Sequence, residues 1–246
     1  LKKIIFTLFA VMVSFAAFAE QFEHPMMDLD VPSGMEKGQM YVELGEKSYA
    51  PLNNYPPDDF FAVIDNGANV KLGVRYMATD NISAGVSYIS EKMEKTAELS
   101  YTFNFEKNGF NAKIEAAYIN DREAPGEPLK SKPFGLVSFQ TVPFMNKMFV
   151  VTVDYGSESG HSGLGTGILY NISEHNCLLA EYYPVINQYK SNTTSCYSFG
   201  YKHDTYGHQF IFRVGNSSQI GARDLMQGTN SGNLYAGVDV MRLFAF

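Results

Sequence analysis

The 246-residue chain has no tryptophan, two cysteines, five histidines and only 18% charged residues. Each shortage excludes something. Cys177 and Cys196 can close one bridge at most, so a disulfide-stapled scaffold is excluded. The five histidines, His24, His161, His175, His203 and His208, show no short helical separation, and no cysteine or carboxylate cluster completes a zinc set. We therefore expect no metal, no cofactor and no catalytic residue. Basic residues number 19 against 26 acidic ones, a formal net charge of −7, which argues against nucleic acid as a partner. After residue 19 no apolar run approaches the roughly 20 residues that a membrane helix needs, so helical spans are excluded. A soluble exported domain and a β-barrel remain. The absent tryptophan counts slightly against a barrel, whose girdles are aromatic, but 16 Tyr, 19 Phe and 21 Gly count for one.

The first residues point to export. Lys2 and Lys3 precede an apolar run over 4–15, and Ala17-Phe18-Ala19 has the small-x-small spacing of a signal-peptidase site, with cleavage expected before Glu20. The run is too short to serve as an anchor. The expected organisation is a signal peptide over 1–19, a periplasmic N-terminal segment over 20–39 and an outer-membrane β-barrel over 40–246.

Alternation carries the fold class. Val70, Leu72, Val74 and Tyr76 share one face of a strand, with Lys71, Gly73 and Arg75 on the other. The pattern recurs around Ala97 to Phe105 against Glu98, Ser100 and Thr102, and around Ala112 to Tyr118 against Lys113 and Glu115. It returns at Phe149 to Tyr155 against Thr152 and Asp154, at Tyr197 to Tyr201 against Lys202, and at Phe210 to Val214 against Arg213. With weaker runs near 40–45, 134–141, 164–172, 177–183 and 234–246 the count is about twelve strands of roughly 8–12 residues, suited to a tilted membrane crossing. In a soluble sandwich or lipocalin-like barrel the aromatic face would point inward and the other would carry many Lys and Glu. Here the polar face is rich in Gly, Ser, Thr and Asn. The expected fold is thus an all-β, single antiparallel transmembrane barrel. Its lumen-lining candidates are Lys71, Arg75, Glu98, Lys113, Glu115, Asp154, Glu181, Lys202, Arg213 and Asp239, paired as a ladder across a narrow or filled interior.

Connections alternate in length. Links at 78–81, 106–109, 143–146, 173–175 and 204–207 are short, whereas 46–66, 120–133, 156–162, 185–194 and 216–232 read as longer loops, with 91–93 breaking the rule. Short periplasmic turns opposite long outer loops would put both termini in the periplasm. Gly163-Leu164-Gly165-Thr166-Gly167 reads as a strand with small inward residues, not as a dinucleotide loop, because no helix pattern follows. Cys177 and Cys196 flank a hairpin centred near Ile186-Asn187 and would be cross-strand neighbours in a symmetric register, a candidate disulfide. Phe244 and Phe246 close the chain as a candidate C-terminal assembly signal for the barrel assembly machinery. Arg242 interrupts their face and fits best as a snorkelling residue at the periplasmic interface.

Phe60-Phe61, the stretch Asp65-Asn66-Gly67-Ala68-Asn69, Tyr182-Tyr183-Pro184, Asn216-Ser217-Ser218-Gln219, Gly228-Thr229-Asn230 and Gly237-Val238-Asp239 together resemble an uncharacterised family of membrane-bound β-barrels of Bacteroidetes type. The resemblance implies a fold and a location and brings no activity or catalytic residues. The expected role is a structural barrel or narrow passive channel for small solutes, in contact with outer-membrane lipid. The alternatives are a barrel enzyme hydrolysing lipids or peptides and a soluble exported binding module.

Overall fold

The structure is a computed structural model and describes residues 25–32, 34–54, 67–122, 127–186, 193–205 and 207–246. The expected signal peptide, His24 and the residues 55–66 lie outside the described residues.

Twelve strands form one closed antiparallel barrel in which every strand pairs with its sequence neighbours and β1 pairs with β12. They are β1 (Gln39–Ser48), β2 (Ala68–Met77), β3 (Ile82–Ile89), β4 (Glu94–Phe105), β5 (Phe110–Asp121), β6 (Lys130–Thr141), β7 (Phe149–Glu158), β8 (His161–Ser173), β9 (Asn176–Tyr183), β10 (Cys196–Thr205), β11 (His208–Gly215) and β12 (Tyr235–Ala245). Closure leaves no unpaired strand edge, the condition for placing strands in lipid, where no water can satisfy a free backbone group. Gln39 faces Ala245 across the closing seam, so the barrel's first and last strand ends meet at the rim that carries the short turns.

The two faces divide as the alternation demands. Outward mid-strand residues are greasy and uncovered: Val86, Leu99, Phe199 and Phe212 are 55–61% exposed. An exterior of this kind, continuous around the barrel through Leu72, Val74, Ile114 and Ile168, belongs against lipid and not water, which removes the soluble alternative. Aromatics gather at both margins. Phe103, Phe105, Phe110, Phe149 and Tyr170 lie at the short-turn rim, in ring contacts of 4.7–6.1 Å that also take in Tyr101; Tyr118, Tyr155 and Tyr182 lie towards the other. These bands do the work of tryptophan girdles.

Three expectations change. The link read as a loop over 156–162 is a two-residue turn, because β7 runs to Glu158 and β8 starts at His161. Ser159 and Gly160 both have positive φ, 41° and 88°, the mirror-image turn whose twist suits a tight hairpin. Cys177 and Cys196 are free and are not neighbours. Cys177 faces Lys202 and Cys196 faces Tyr183, so the hairpin register is offset by six residues from the symmetric one and the cysteines sit towards opposite ends. Arg242 keeps its outward parity but is buried, its Nη1 3.1 Å from His208 Nε2 and its guanidinium 5.1 Å over the Phe244 ring.

Candidate functional site

All ten lumen candidates point inward, but they line no free column of water. Residues 26–31, expected outside the barrel in a periplasmic segment, lie among lumen side chains instead, Met26 to Leu29 buried and Asp30 and Val31 half-buried. The physical reason is on both sides of the contact. Glu181 Oε1 accepts the backbone N–H groups of Met27, Asp28 and Leu29 at 2.8, 3.0 and 3.2 Å, a ring of amides closing on one carboxylate. The Asp154 carboxylate accepts Asp30 N–H at 2.8 Å, and Ser138 Oγ donates to the Asp30 carbonyl at 2.8 Å. Four successive amides and one carbonyl of the segment thus find partners in wall side chains, inside a barrel whose own amides are consumed by its ladders.

Its side chains are matched in turn. Asp28 pairs with Arg213 at 2.8 Å and Lys47 at 3.3 Å and accepts Gly221 N–H at 2.7 Å. Asp30 pairs with Arg75 at 2.9 Å and with Lys113. Burial alone would raise both carboxyls, but the adjoining cations, Arg213 with Lys47 and Arg75 with Lys113, outweigh it and hold them well below the usual 3.8. Met26, Met27 and Leu29 pack on inward-facing Leu136, Val150, Leu169, Leu179, Ile211 and Tyr183.

Glycines make the room. A Cβ on Gly165 would lie 2.5 Å from Leu29 Cδ2, one on Gly167 2.3 Å from Met26 Cε, and one on Gly200 2.6 Å from Met27 Sδ. The glycine-rich run of β8 is thus a shelf for the N-terminal segment.

A second insertion closes the other end. The β11–β12 connection carries a short helical turn, α1 (Ala222–Leu225), that projects Arg223 among Glu94 (2.7 Å), Asp121 (2.9 Å) and both oxygens of Glu158. Lys92 reaches Asp224 at 2.7 Å, and Met226 fills the notch at Gly163, where a Cβ would meet its Cβ at 2.4 Å. Burial would raise the Asp224 carboxyl, but Lys92 and Arg223 override it and hold it low. The Asp28–Gly221 hydrogen bond ties the two insertions together. Remaining wall charges pair among themselves: Lys71 with Glu43 at 2.9 Å, Arg75 with Glu98 and Glu115, Arg213 with Asp239 at 2.7 Å, Lys202 with Asp204 at 3.0 Å.

Among the described residues, cavities lie at both mouths and between them. A cavity of about 1020 Å³ opens at the short-turn rim, lined by Gln140, Lys202, Asp204 and turn residues; another of about 510 Å³ lies under the opposite loops. Between them a chamber of about 170 Å³ is caught between the N-terminal segment and the wall of β1–β5, beside Tyr41, Glu43, Lys71 and Glu98. Among the described residues no group of three or more His, Cys, Asp or Glu is placed to hold a metal. His161 lies at the long-loop rim, whereas His175, His203 and His208 lie at the other. Sequence reasoning missed Asp28, Asp30, Lys47 and Arg223. Its one available signal was the set of aliphatic residues at lumen parity on β6–β9 and β11, which a water-filled pore would leave wet.

A closed barrel with an apolar belt, aromatic margins and a charged interior defines an outer-membrane-type β-barrel. Residues 130–244, β6 to β12, match the family model described as Membrane bound beta barrel domain (DUF5777), so a little under half of the chain is similar to that membrane-barrel domain. Comparison with curated proteins gives no match. Among solved structures the chain is similar in fold to the KdgM porin, with 10% identity and a TM-score of 0.53 over 84% of this chain and 99% of that one. It is likewise similar to the NanC porin, with 9% identity and a TM-score of 0.53 over 82% and 98%. The outer membrane phospholipase A from Escherichia coli overlaps more loosely, with 14% identity and a TM-score of 0.46 over 83% and 92%.

Proposed function

We propose that the protein is a narrow passive channel for small polar solutes in a bacterial outer membrane, non-catalytic, with both termini on the periplasmic side and in the closed conformation here. One observation carries this reading. The barrel holds polar cavities at both mouths, of about 1020 and 510 Å³, and the stretch between them contains two inserted segments that are not part of the barrel wall. Twelve strands enclose more room than the eight-stranded barrels that wall side chains fill, and what occupies it here is tethered and not part of the wall, so its withdrawal would open a passage. The likeness to the KdgM and NanC porins supports the same reading at the level of architecture. On this reading the partners are outer-membrane lipid around the belt and the barrel assembly machinery at Phe244 and the exposed Phe246.

Planar-bilayer recording of the detergent-purified, heat-modifiable protein tests it. The expected result is a mostly closed trace with brief openings. Lys71 is a cation paired with Glu43 beside the central chamber, so Lys71→Gln leaves Glu43 uncompensated and should move the reversal potential in a salt gradient towards cation selectivity. A folded barrel that never opens overturns the proposal.

A further inference from the structure

The interior of the wall is shaped for one particular occupant. The polar features of residues 26–31 meet complements on the wall: three successive amides on Glu181, one on Asp154, one carbonyl on Ser138, one carboxylate on Lys47 and Arg213, the other on Arg75 and Lys113. The apolar features are matched as well, by glycine notches on β8 and β10 and by a patch of aliphatic side chains facing the lumen. That patch is the decisive element. Leu136, Val150, Leu169, Leu179 and Ile211 sit at lumen parity, are at most 3% exposed, and would stand in water if the segment were withdrawn. A wall evolved only to conduct small polar solutes has no use for such a surface, and a wall filled for rigidity alone would not leave glycine notches in it.

We infer that the lumen is a binding site for a bent acidic-apolar peptide, Met26-Met27-Asp28-Leu29-Asp30, and that the chain's own N-terminal segment occupies it as a tethered plug. Asp28 and Asp30 are its recognition pair. They stand two residues apart where the segment bends round Glu181, on separate pairs of cations, so the site reads both the charge and its spacing. Asp28 also accepts Gly221 N–H, so release of the plug loosens the β11–β12 insertion, and the two closures act together. The functional consequence rests on the channel reading above; the recognition itself does not.

The test uses the full chain with Cys177→Ser and Cys196→Ser and one reporter thiol at Met27→Cys. The 27 thiol should be protected from a small thiol reagent in the folded protein. Adding Asp28→Asn and Asp30→Asn removes the charge pairing while keeping size, and labelling should accelerate roughly a hundredfold, the order expected for losing buried ion pairs. A synthetic peptide of residues 25–32 added in trans should slow bilayer openings of the Asp28→Asn, Asp30→Asn protein, and the same peptide with Asn at both positions should not. A 27 thiol that labels as fast in the folded protein as in denaturant overturns the inference, as does equal protection with and without the two aspartates. Release by the double variant without any gain in conductance leaves the recognition standing and overturns the channel reading alone.

Discussion

Replacing Arg223 with alanine should open the β11–β12 insertion without unfolding the barrel. The guanidinium bonds Glu94 at 2.7 Å, Asp121 at 2.9 Å and Glu158 through two nitrogens, and it is only 9% exposed. Removing one partner from a buried charge cluster costs about 3–5 kcal/mol, since the groups left behind are neither hydrated nor paired. Two features reduce that here. Lys132 stands 3.4 Å from Glu158 and 3.8 Å from Asp121, and the Lys92–Asp224 pair remains. A loss of about 3 kcal/mol in local closing free energy follows, close to a hundredfold in the opening equilibrium. Hydrogen exchange reads this directly. The amides of Leu225, Met226, Gln227 and Gly228 are bonded within the insertion, to Gly221, Ala222, Asp224 and Leu225 carbonyls, and are protected only while it is formed. Their exchange should accelerate by about two orders of magnitude in Arg223→Ala while that of β5 and β6 amides stays unchanged. Arg223→Lys should fall between, because one ammonium cannot engage three carboxylates in the guanidinium's planar geometry. Exchange of the four amides within about threefold of wild type would refute the argument that this arginine holds the closure, given that the same units open locally in proportion to their own free energies.

Acid should release both insertions. Asp28, Asp30 and Asp224 are held below their ordinary 3.8 in the closed form, so their contribution is complete above that value and is lost as pH falls from it towards the lowered values; reactivity of a thiol at position 27 towards a dithiopyridine reagent should rise as pH falls below 3.8. Phe199→Arg places a charge at the middle of the lipid belt, opposite Ala180 and Val214, and should cost about 2–4 kcal/mol, read as a lower folded fraction in bilayer-refolding titrations; wild-type stability would mean that this face does not meet lipid.

The alternation of Val70 to Tyr76, Ala97 to Phe105 and Phe210 to Val214 determined by itself that the chain forms half-polar strands, because a period of two puts successive side chains on opposite faces whatever the partner strand. The count of twelve, the inward parity of Lys71, Arg75, Lys113, Arg213 and the rest, and the lipid-facing exterior follow from that local rule. The register of β9 and β10 does not, since a hairpin can close at several offsets that preserve parity; the observed one separates Cys177 from Cys196. Nor does parity say what stands opposite an inward residue. Leu136, Val150, Leu169, Leu179 and Ile211 stand at lumen parity and residues 26–30 lie in a segment expected outside the barrel; closure of the barrel brought the two together. That meeting joins residues more than a hundred positions apart, and only the three-dimensional circuit of the barrel decides it.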